Sequence, residues 1–495
     1  MRYILALDEG TTSARAILFD EKGAARSTAS RPIEMRYPQE GWVEQDVEQI
    51  WQAQLEAARE ALATAKARAT DVAAIGITNQ RETTILWERA TGKPVAPAIV
   101  WQDRRTAERC RELQLLGHQE MIRELTGLVL DPYFSATKLE RLLGDRERRR
   151  RAEQGELAFG TIDSWLIARL TGGAVHATDH TNASRTMLYG LESRAWEPEL
   201  LKLFGVPAEL LPRISLSSEV LGETIPSLFG QSLPIAGVAG DQQAALFGQG
   251  CVRAGMAKNT YGTGAFLLTH AGESRPNSAS GLLVTAACGP RGEPQYALEG
   301  SVFIAGAAIQ WLRDGLGLIQ KAAETEVMAR SVPDTGGVHF VPAFVGLGSP
   351  HWEAEARGTI TGLTRGTTRA HLVRAALEAM AFSSAELIGA MLADAKISLS
   401  ALRVDGGAST NDWLMQFQAD LLGFPVERPD LVETTALGAA GLAGLALGLW
   451  PDVETFVGER VFRRFEPTMG EPTRQLHLAG WQRAMRVALG WARGG

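Results

Sequence analysis

Two apolar segments of strand length lie near the start of the chain, at residues 4–8 and 15–20, separated by a break rich in Gly, Thr and Ser. This pattern predicts a β-hairpin. A tight turn of Gly and hydroxyl residues brings backbone N–H and side-chain O–H groups close to an anion. Asp8 ends the first segment, and one or two carboxylates beside phosphate oxygens suit Mg²⁺. The hairpin therefore predicts a phosphate site for Mg·ATP, although an ordinary hairpin with a polar turn fits the same pattern.

The length and charge of the chain narrow the class of protein. At 495 residues it is too long for one typical domain, and its content of 45% hydrophobic and 22% charged residues is ordinary for a globular enzyme. A formal net charge of −7 argues against nucleic acid as a partner, because nucleic-acid-binding proteins usually present a basic face. Five of the six residues from 146 to 151 are Arg, which favours a solvated helix end over a binding patch.

Cysteine usage and hydropathy predict the compartment. Cys110, Cys251 and Cys288 are far apart and form no C-x-x-C pair, which favours a reducing cytoplasm and gives neither a disulfide framework nor a zinc site. The first residues lead straight into a strand, so no signal peptide is predicted. The longest weakly polar stretch, residues 436–450, is shorter than the about 20 apolar residues that a membrane span needs. It predicts a buried helix and no membrane insertion.

Strands and helices follow the hairpin in mixed order, which predicts an α/β architecture. They include an amphipathic helix from about Val47 to Arg68 and a strand from Val72 to Thr78. Further along, residues 257–268 repeat the order of strand, Gly/Thr turn and strand. A second phosphate hairpin halfway along the chain predicts two domains of similar design, residues 1–248 and 249–495, with the nucleotide in the cleft between them.

A Gly-rich turn follows the predicted strand at 402–405. Gly406 and Gly407 precede a predicted helix from Thr410 to Leu422, capped by Ser409 or Thr410. Two glycines let a flat ligand lie against the backbone, so this turn is a candidate adenosine site, although such turns are more often structural. Two phosphate hairpins followed by this turn resemble the actin-like (ribonuclease-H-like) ATPase superfamily. The P-loop pattern is absent from the sequence, and so is a dinucleotide-binding pattern after the first strand.

Two further segments suggest what receives the phosphate. The loop at residues 79–83 places Arg81 next to Glu82, and paired donors and acceptors suit hydroxyl groups; the alternative is an exposed salt bridge of little value. Trp101, at the end of a strand, is either a core residue or a pocket wall. Asp241 follows an apolar strand at the predicted start of a helix. It is either a general base for phosphoryl transfer or a helix N-cap.

Taken in order along the chain, eight segments resemble the FGGY family of carbohydrate kinases over nearly its whole length. The segments are residues 7–13, 79–83, 100–102, 133–135, 240–243, 259–264, 305–312 and 405–408. One departure is Arg141, where the family often has Trp; we expect this position on a helix surface, where it does not affect function.

The resemblance implies that the substrates are glycerol and Mg·ATP and that the product is sn-glycerol 3-phosphate. Asp241 would be the base and Asp8 would organise Mg²⁺. The residues implied to contact glycerol are Arg81, Glu82, Trp101, Tyr133, Asp241, Gln242 and Phe266. The residues implied to bind the nucleotide and its phosphates are Thr11, Thr12, Ser13, Arg15, Thr263, Gly306, Gln310, Gly407 and Asn411. The resemblance also implies a homodimer or homotetramer.

Two rival functions stay open from the sequence. A kinase for a longer polyol or ketose, such as xylulose, would need a wider pocket than Trp101 and Phe266 suggest. An actin-like or chaperone-like ATPase that switches partners would need no polyol site, so Arg81-Glu82 and Asp241-Gln242 argue against it.

Overall fold

The computed structural model describes residues 2–395, 398–430, 433–458 and 460–494. Its strands are β1 Tyr3–Glu9, β2 Ser13–Asp20, β3 Ala25–Pro32, β4 Glu44–Gln45, β5 Val72–Asn79, β6 Ile85–Glu88, β7 Ala98–Ile99, β8 Leu157–Gly160, β9 Ala177–Asp179, β10 Tyr189–Gly190, β11 Ala195–Trp196, β12 Arg213–Ser215, β13 Ser218–Glu223, β14 Pro234–Gly240, β15 Ala257–Tyr261, β16 Ala265–Gly272, β17 Leu283–Ala286, β18 Tyr296–Val302, β19 His339–Val341, β20 Thr359–Thr361, β21 Leu402–Asp405, β22 Val426–Pro429 and β23 Phe462–Phe465. Its α-helices are α1 Val47–Thr64, α2 Ala107–Leu115, α3 Gln119–Thr126, α4 Ser135–Leu142, α5 Arg146–Glu153, α6 Ile162–Leu170, α7 His180–Ala183, α8 Pro198–Phe204, α9 Pro226–Phe229, α10 Asp241–Gly248, α11 Gly306–Asp314, α12 Glu324–Arg330, α13 Arg369–Ala395, α14 Asp412–Leu422, α15 Thr434–Ala446, α16 Val453–Val457 and α17 Glu471–Ala492.

The predicted first hairpin lies in the interior of a six-stranded sheet with the order β13-β14-β5-β1-β2-β3. Strand β1 pairs antiparallel with β2 and parallel with β5. Neighbouring side chains of a strand point to opposite faces. Leu5 and Leu7 therefore pack against α1, while Ile4 and Ala6 pack on the other face with residues of α15. Both faces of the strand are buried, which explains the continuous apolar run in the sequence.

The second half repeats this arrangement. A seven-stranded sheet has the order β17-β18-β16-β15-β21-β22-β23. Strand β15 pairs antiparallel with β16 and parallel with β21, just as β1 pairs with β2 and β5. The largest apolar core lies around this sheet and α13. The two-domain α/β fold expected from the repeated hairpins is present, with both hairpin turns at the ends of central strands.

Helix α15 comes from the second half of the chain but packs on the first sheet and on α10. The approach is close enough to require glycine. A Cβ atom on Gly438 would lie 1.9 Å from the carbonyl oxygen of Ala244, and one on Gly76 would lie 2.3 Å from that of Ala439. Backbone packing of this kind leaves no room for a side chain. The predicted buried helix at 436–450 is thus an interface helix ending at Ala446.

Helix α13 is long and apolar enough to cross a membrane, but 67% of its most apolar stretch is buried inside the protein. Residues such as Val373, Met380 and Phe382 belong to the main core cluster. Burial of this kind identifies α13 as the core helix of the second half.

Three sequence expectations about helix ends need correction. Helix α1 ends at Thr64 rather than near Arg68, because Lys66 adopts a left-handed φ of 53°. Helix α14 begins at Asp412, and its N-cap is Asn411. The Asn411 Oδ1 atom accepts a hydrogen bond from the N–H of Leu414 at 3.0 Å. The helix begins later than expected because a short 3₁₀ turn occupies residues 407–410. The arginine run forms a complete short helix, α5, rather than a helix end.

Candidate active site

The first hairpin turn is closed by a hydrogen bond from the N–H of Gly10 to the carbonyl of Ser13 at 3.0 Å. Asp8, at the end of β1, is 3% exposed and forms an ion pair with Arg15 of β2. The other guanidinium nitrogen of Arg15 lies 2.7 Å from Oε2 of Glu433. Burial raises the pKa of Asp8, and Arg15 opposes this shift. The buried Asp8 carboxylate and the Arg15 guanidinium group therefore lie on the two strands that flank the predicted phosphate-binding turn.

A second buried carboxylate, Asp405, ends β21 beside the Gly-Gly turn. Its Oδ2 atom accepts a hydrogen bond from the hydroxyl of Thr434, the first residue of α15 and the neighbour of Glu433. Within the described residues its Oδ1 atom has no hydrogen-bond partner. A buried carboxylate oxygen left without a partner is costly. Thr434 contacts Asp405 and its neighbour Glu433 contacts Arg15, so these two residues connect Asp405 with the first hairpin.

The predicted acceptor loop is buried rather than exposed, with Arg81 at 3% and Glu82 at 1% exposure. The alternative of a weak surface salt bridge is therefore excluded. Glu82 has a φ of 61°, a conformation that a non-glycine residue adopts only when its surroundings hold it there. Its carbonyl oxygen accepts a hydrogen bond from the hydroxyl of Ser135 at 2.9 Å. The Nε atom of Arg81 lies 3.2 Å from Oδ1 of Asp241.

Asp241 is the first residue of α10, and Gly240 occupies the N-cap position, so the N-cap alternative for Asp241 is wrong. Its Oδ1 atom accepts a hydrogen bond from the N–H of Gln242 at 2.8 Å. The side chain is 31% exposed, more than any of its charged neighbours in the loop. Burial raises the pKa of the Asp241 carboxyl, while Arg81 and Lys258 lower it. A carboxylate with a raised pKa is a better proton acceptor than an ordinary one.

Three aromatic rings form a wall near the buried arginines, and the guanidinium carbon of Arg185 lies 5.5 Å from the centroid of the Tyr133 ring. The ring of Trp101 makes edge contacts with Tyr133, at a centroid distance of 5.6 Å, and with Phe266, at 6.2 Å. Phe266 belongs to β16 of the second sheet, so both halves of the chain contribute to the wall. Trp101 is only partly buried, and its Nε1 donates a hydrogen bond to Oγ1 of Thr11 at 3.0 Å. This supports the pocket-wall alternative for Trp101 and connects the wall to the phosphate turn.

Three charged residues of this region were not singled out from the sequence. Lys258 is fully buried in β15, and its ammonium group donates hydrogen bonds to Gln242 Oε1 and to the hydroxyl of Thr260 at 2.9 Å. Burial lowers the pKa of Lys258 to about 8. Arg185 and Glu299 are also fully buried and contact each other at 3.0 Å. Charged residues inside predicted strands, as at Lys258 and Glu299, were the available signal.

The residues implied to hold the nucleotide meet at a separate cavity of about 400 Å³ in the second half. The cavity is also lined by residues of α12, and it reaches the N-cap of α14. The predicted nucleotide-binding residues that line it are Thr263, Gly306, Gln310, Gly407 and Asn411. Gly406 has a φ of 84°, and a Cβ atom there would lie 2.4 Å from the carbonyl oxygen of Tyr261. A Cβ atom on Gly407 would meet no atom of the described residues within 4 Å. The turn therefore requires glycine at its first position for folding, whereas the second position is open toward the cavity.

The structure thus brings the predicted residues together in two groups. The first hairpin, Arg81, Asp241 and the aromatic wall form one group of contacts, while the second hairpin, α11 and the Gly-Gly turn line the separate cavity. Paired sheets, repeated hairpins and interface helices define an actin-like, two-domain fold of the kind found in ATP-dependent phosphotransferases.

Comparison of the sequence with known families places the chain within that class. Residues 3–248 match the profile of the FGGY family of carbohydrate kinases, N-terminal domain, and residues 257–447 match that of its C-terminal domain. The chain belongs to the FGGY family of carbohydrate kinases.

Similar proteins cover the whole chain. A glycerol kinase of Carboxydothermus hydrogenoformans is 57% identical over 493 residues, which is 99% of this chain and 99% of that protein. Glycerol kinase 2 of Thermotoga maritima is 56% identical with the same coverage. Among solved structures, Plasmodium falciparum glycerol kinase with ADP aligns with a TM-score of 0.92 and 35% identity, covering 99% of this chain and 98% of that one. A xylulose kinase of Lactobacillus acidophilus shares the fold, with a TM-score of 0.87 and 22% identity. The alignment covers 100% of this chain and 98% of that one.

Proposed function

We propose that the protein transfers the γ-phosphoryl group of ATP to a terminal hydroxyl of glycerol, giving ADP and sn-glycerol 3-phosphate. The observation that carries this proposal is the contact between Arg81 and Asp241 beside the aromatic wall, which joins polyol recognition to a proton acceptor in one pocket. Relatives of matching length with 56–57% identity are named glycerol kinase, which supports the same substrate.

In this proposal the charged pairs hold the hydroxyl groups of glycerol. A guanidinium group donates hydrogen bonds and a carboxylate accepts them, so Arg81 and Glu82 satisfy both requirements of a hydroxyl. Gln242 and Tyr133 add polar groups that both donate and accept, and Trp101 and Phe266 pack against the three-carbon chain. A buried polar site discriminates strongly against analogues that lack a hydroxyl, because its own groups would be left unpaired.

Asp241 is the proposed general base. It accepts the proton of the attacking hydroxyl while that oxygen forms a bond to the γ-phosphorus and the bond to the β,γ-bridging oxygen of ADP breaks. Its exposed fraction of 31% leaves the carboxylate open to a bound substrate. The raised pKa of Asp241 strengthens it as a base.

The ATP phosphates would lie between the two hairpins. Thr11, Thr12, Ser13 and Arg15 would contact them on one side and Thr263 on the other, with Gly306, Gln310, Gly407 and Asn411 around the nucleoside. Asp8 would hold Mg²⁺, and the unpartnered Oδ1 of Asp405 makes that residue a candidate second carboxylate. When bound, Mg²⁺ neutralises charge that develops on the phosphate oxygens.

The proposal keeps the division into residues 1–248 and 249–495, with α15 of the second unit packed on the first. A homodimer or homotetramer and a cytoplasmic location are further predictions, which rest on the family resemblance and on the absence of cysteine pairs.

The test is a coupled assay for ADP with the purified protein and Mg·ATP. We expect ADP release to depend on glycerol, and the product to be sn-glycerol 3-phosphate. Release at the same rate without glycerol would favour the partner-switching ATPase. A higher kcat/KM for xylulose than for glycerol would favour a kinase for longer polyols or ketoses.

A further inference from the structure

A buried ion-pair network joins the two halves of the chain underneath the acceptor site. Glu299 lies in β18 of the second sheet and is fully buried. Its carboxylate accepts hydrogen bonds from Nη1 of Arg81 at 2.6 Å and from Nη2 of Arg81 at 3.0 Å. A third hydrogen bond comes from Nη2 of Arg185 at 3.0 Å. Both arginines belong to the first half, so Glu299 is the contribution of the second half to this network.

Charges alternate in the network, which makes each member depend on the others. Arg185 also donates a hydrogen bond to Oε1 of Glu82 at 2.6 Å, so two arginines bridge two glutamates. Removing one partner of a buried ion pair leaves an uncompensated charge. Burial raises the pKa of Glu299, but Arg185 and Arg81 outweigh burial and hold that pKa at about 2. The two arginines therefore favour the charged form of Glu299.

The orientation of Arg81 follows from this contact. A guanidinium group presents flat edges, each of which can bind a carboxylate with two nitrogens. The edge with both Nη atoms is occupied by Glu299, and the contact with Asp241 is made by Nε, at 3.2 Å from Oδ1. If Glu299 were neutral, Arg81 would keep only its weaker contacts with Gln243 at 3.2 Å and Glu82 at 3.8 Å, and a two-nitrogen edge could turn toward Asp241. A carboxylate held in that way is a weaker proton acceptor, because the ion pair stabilises its charged form.

We propose that Glu299 is a positioning residue for phosphoryl transfer: it fixes Arg81 so that Asp241 stays available as the base, and Arg185 anchors Glu299 in turn. This inference rests on the proposed function of the site. It also explains why an acceptor site on the first half needs a carboxylate from the second half, since Glu299 reaches Arg81 only when the two sheets are packed together.

The experiment compares Glu299→Gln with the wild type in the ADP assay across a range of pH. We expect kcat to fall by about tenfold to a hundredfold, as for a misplaced catalytic group, with KM for ATP unchanged. The acidic limb of the kcat profile should move to lower pH, because Arg81 then stabilises the charged form of Asp241. A merely structural role would lower the melting temperature and the rate but leave the limb in place, and that result would overturn the proposal.

Glu378→Gln is the matched control. Glu378 is another buried glutamate of the second half, paired with Arg374 at 2.9 Å and outside the site described above. It should lower stability without moving the acidic limb. If Glu299→Gln does not fold, Glu299→Asp keeps the charge but shortens the side chain; it should show a smaller loss of kcat, again with KM for ATP unchanged. Either of two results would contradict the positioning role of Glu299: a wild-type kcat in Glu299→Asp, or a lower KM for ATP in that variant.

A crystal structure of Glu299→Gln separates this inference from the proposed function. Arg81 should have moved so that two of its nitrogens contact Asp241, and an unmoved Arg81 would overturn the inference. If the wild type releases no ADP on addition of glycerol, the proposed function fails, while the position of Arg81 in the variant still tests the role of Glu299.

Discussion

The indole Nε1 of Trp101 donates a hydrogen bond to the hydroxyl of Thr11 at 3.0 Å. Trp101 belongs to the wall of the proposed glycerol pocket, and Thr11 belongs to the turn proposed to bind the ATP phosphates. The two proposed substrate sites are thus in direct contact through one hydrogen bond. A substitution in one site should therefore change the KM of the substrate bound in the other.

We expect Trp101→Phe to raise KM for both glycerol and ATP. The ring is retained, but Thr11 loses its donor and is free to rotate away from the phosphates. Loss of one such hydrogen bond costs about 0.5–1.5 kcal/mol, which corresponds to a rise in KM of roughly twofold to tenfold. The control is Trp196→Phe, which removes an indole N–H that bonds the carbonyl of Pro212 at 2.9 Å, away from the site. A change in KM for glycerol alone would show that the hydrogen bond to Thr11 contributes nothing to ATP binding.

Asp241→Asn should abolish phosphoryl transfer while sparing nucleotide binding. The amide keeps the shape of the carboxylate but cannot accept the proton, and a general base contributes about 10²–10⁴-fold. ADP binding measured by calorimetry should be close to that of the wild type, since Asp241 does not line the nucleotide cavity. A variant that keeps a tenth or more of the wild-type kcat would remove Asp241 from the role of base.

The acid side of the pH profile gives a second check on the same residue. Because burial raises the pKa of Asp241, with Arg81 and Lys258 opposing, the carboxyl takes up a proton at higher pH than an ordinary Asp. The wild-type kcat should therefore fall as the pH is lowered through that raised pKa, and rise to a plateau above it. A rate that stays on its plateau well below pH 4, near the ordinary pKa of an Asp, would mean that a different group accepts the proton.

The sequence was sufficient for the local parts of this site. The two hairpins, the Gly-Gly turn and the strand before Asp241 are each encoded within about a dozen neighbouring residues, where alternation and turn chemistry act directly. The repeated hairpin predicted the two-domain fold, which the arrangement of the sheets confirms.

The support beneath the site could not be predicted in the same way. Arg81 and Glu299 are 218 residues apart in the chain, and no local pattern pairs them. Lys258 stands in a strand beside the polar residues Asn259 and Thr260, so the sequence does not mark it as a buried charge. Which partner neutralises such a charge depends on how the sheets pack. The start of helix α14 was predicted too early, because a 3₁₀ turn from Gly407 to Thr410 precedes the helix.

The two glycines of the nucleotide turn should respond differently to alanine. Gly406→Ala combines a φ of 84° with a Cβ atom 2.4 Å from the carbonyl oxygen of Tyr261, so we expect a lower melting temperature and a raised KM for ATP. Gly407→Ala meets no protein atom within 4 Å and should leave the melting temperature unchanged. Its methyl group points into open space beside the nucleotide cavity, so KM for ATP should still rise. Equal melting temperatures for the two variants would contradict the close contact at Gly406.

A final prediction concerns Glu9, whose two carboxylate oxygens are buried and have no hydrogen-bond partner among the described residues. Burial, and then the neighbouring Asp8, raise the pKa of Glu9 well above its usual range. The folded state therefore keeps the proton at pH values where the unfolded chain has lost it. Stability from this residue is complete below pH of about 4.5, the ordinary pKa of a glutamate, and declines as the pH rises toward the folded-state value.

Glu9→Gln should remove this dependence, because the amide carries no charge in either state. We expect the variant to gain free energy of unfolding relative to the wild type as the pH rises from 5 to 8, by at most about 1.4 kcal/mol for each pH unit. Urea unfolding at several pH values measures the difference directly. Glu56→Gln, on the exposed side of α1, controls for the loss of one carboxylate. A difference between Glu9→Gln and the wild type that is the same at pH 5 and pH 8 would mean that Glu9 is already ionised in the folded protein.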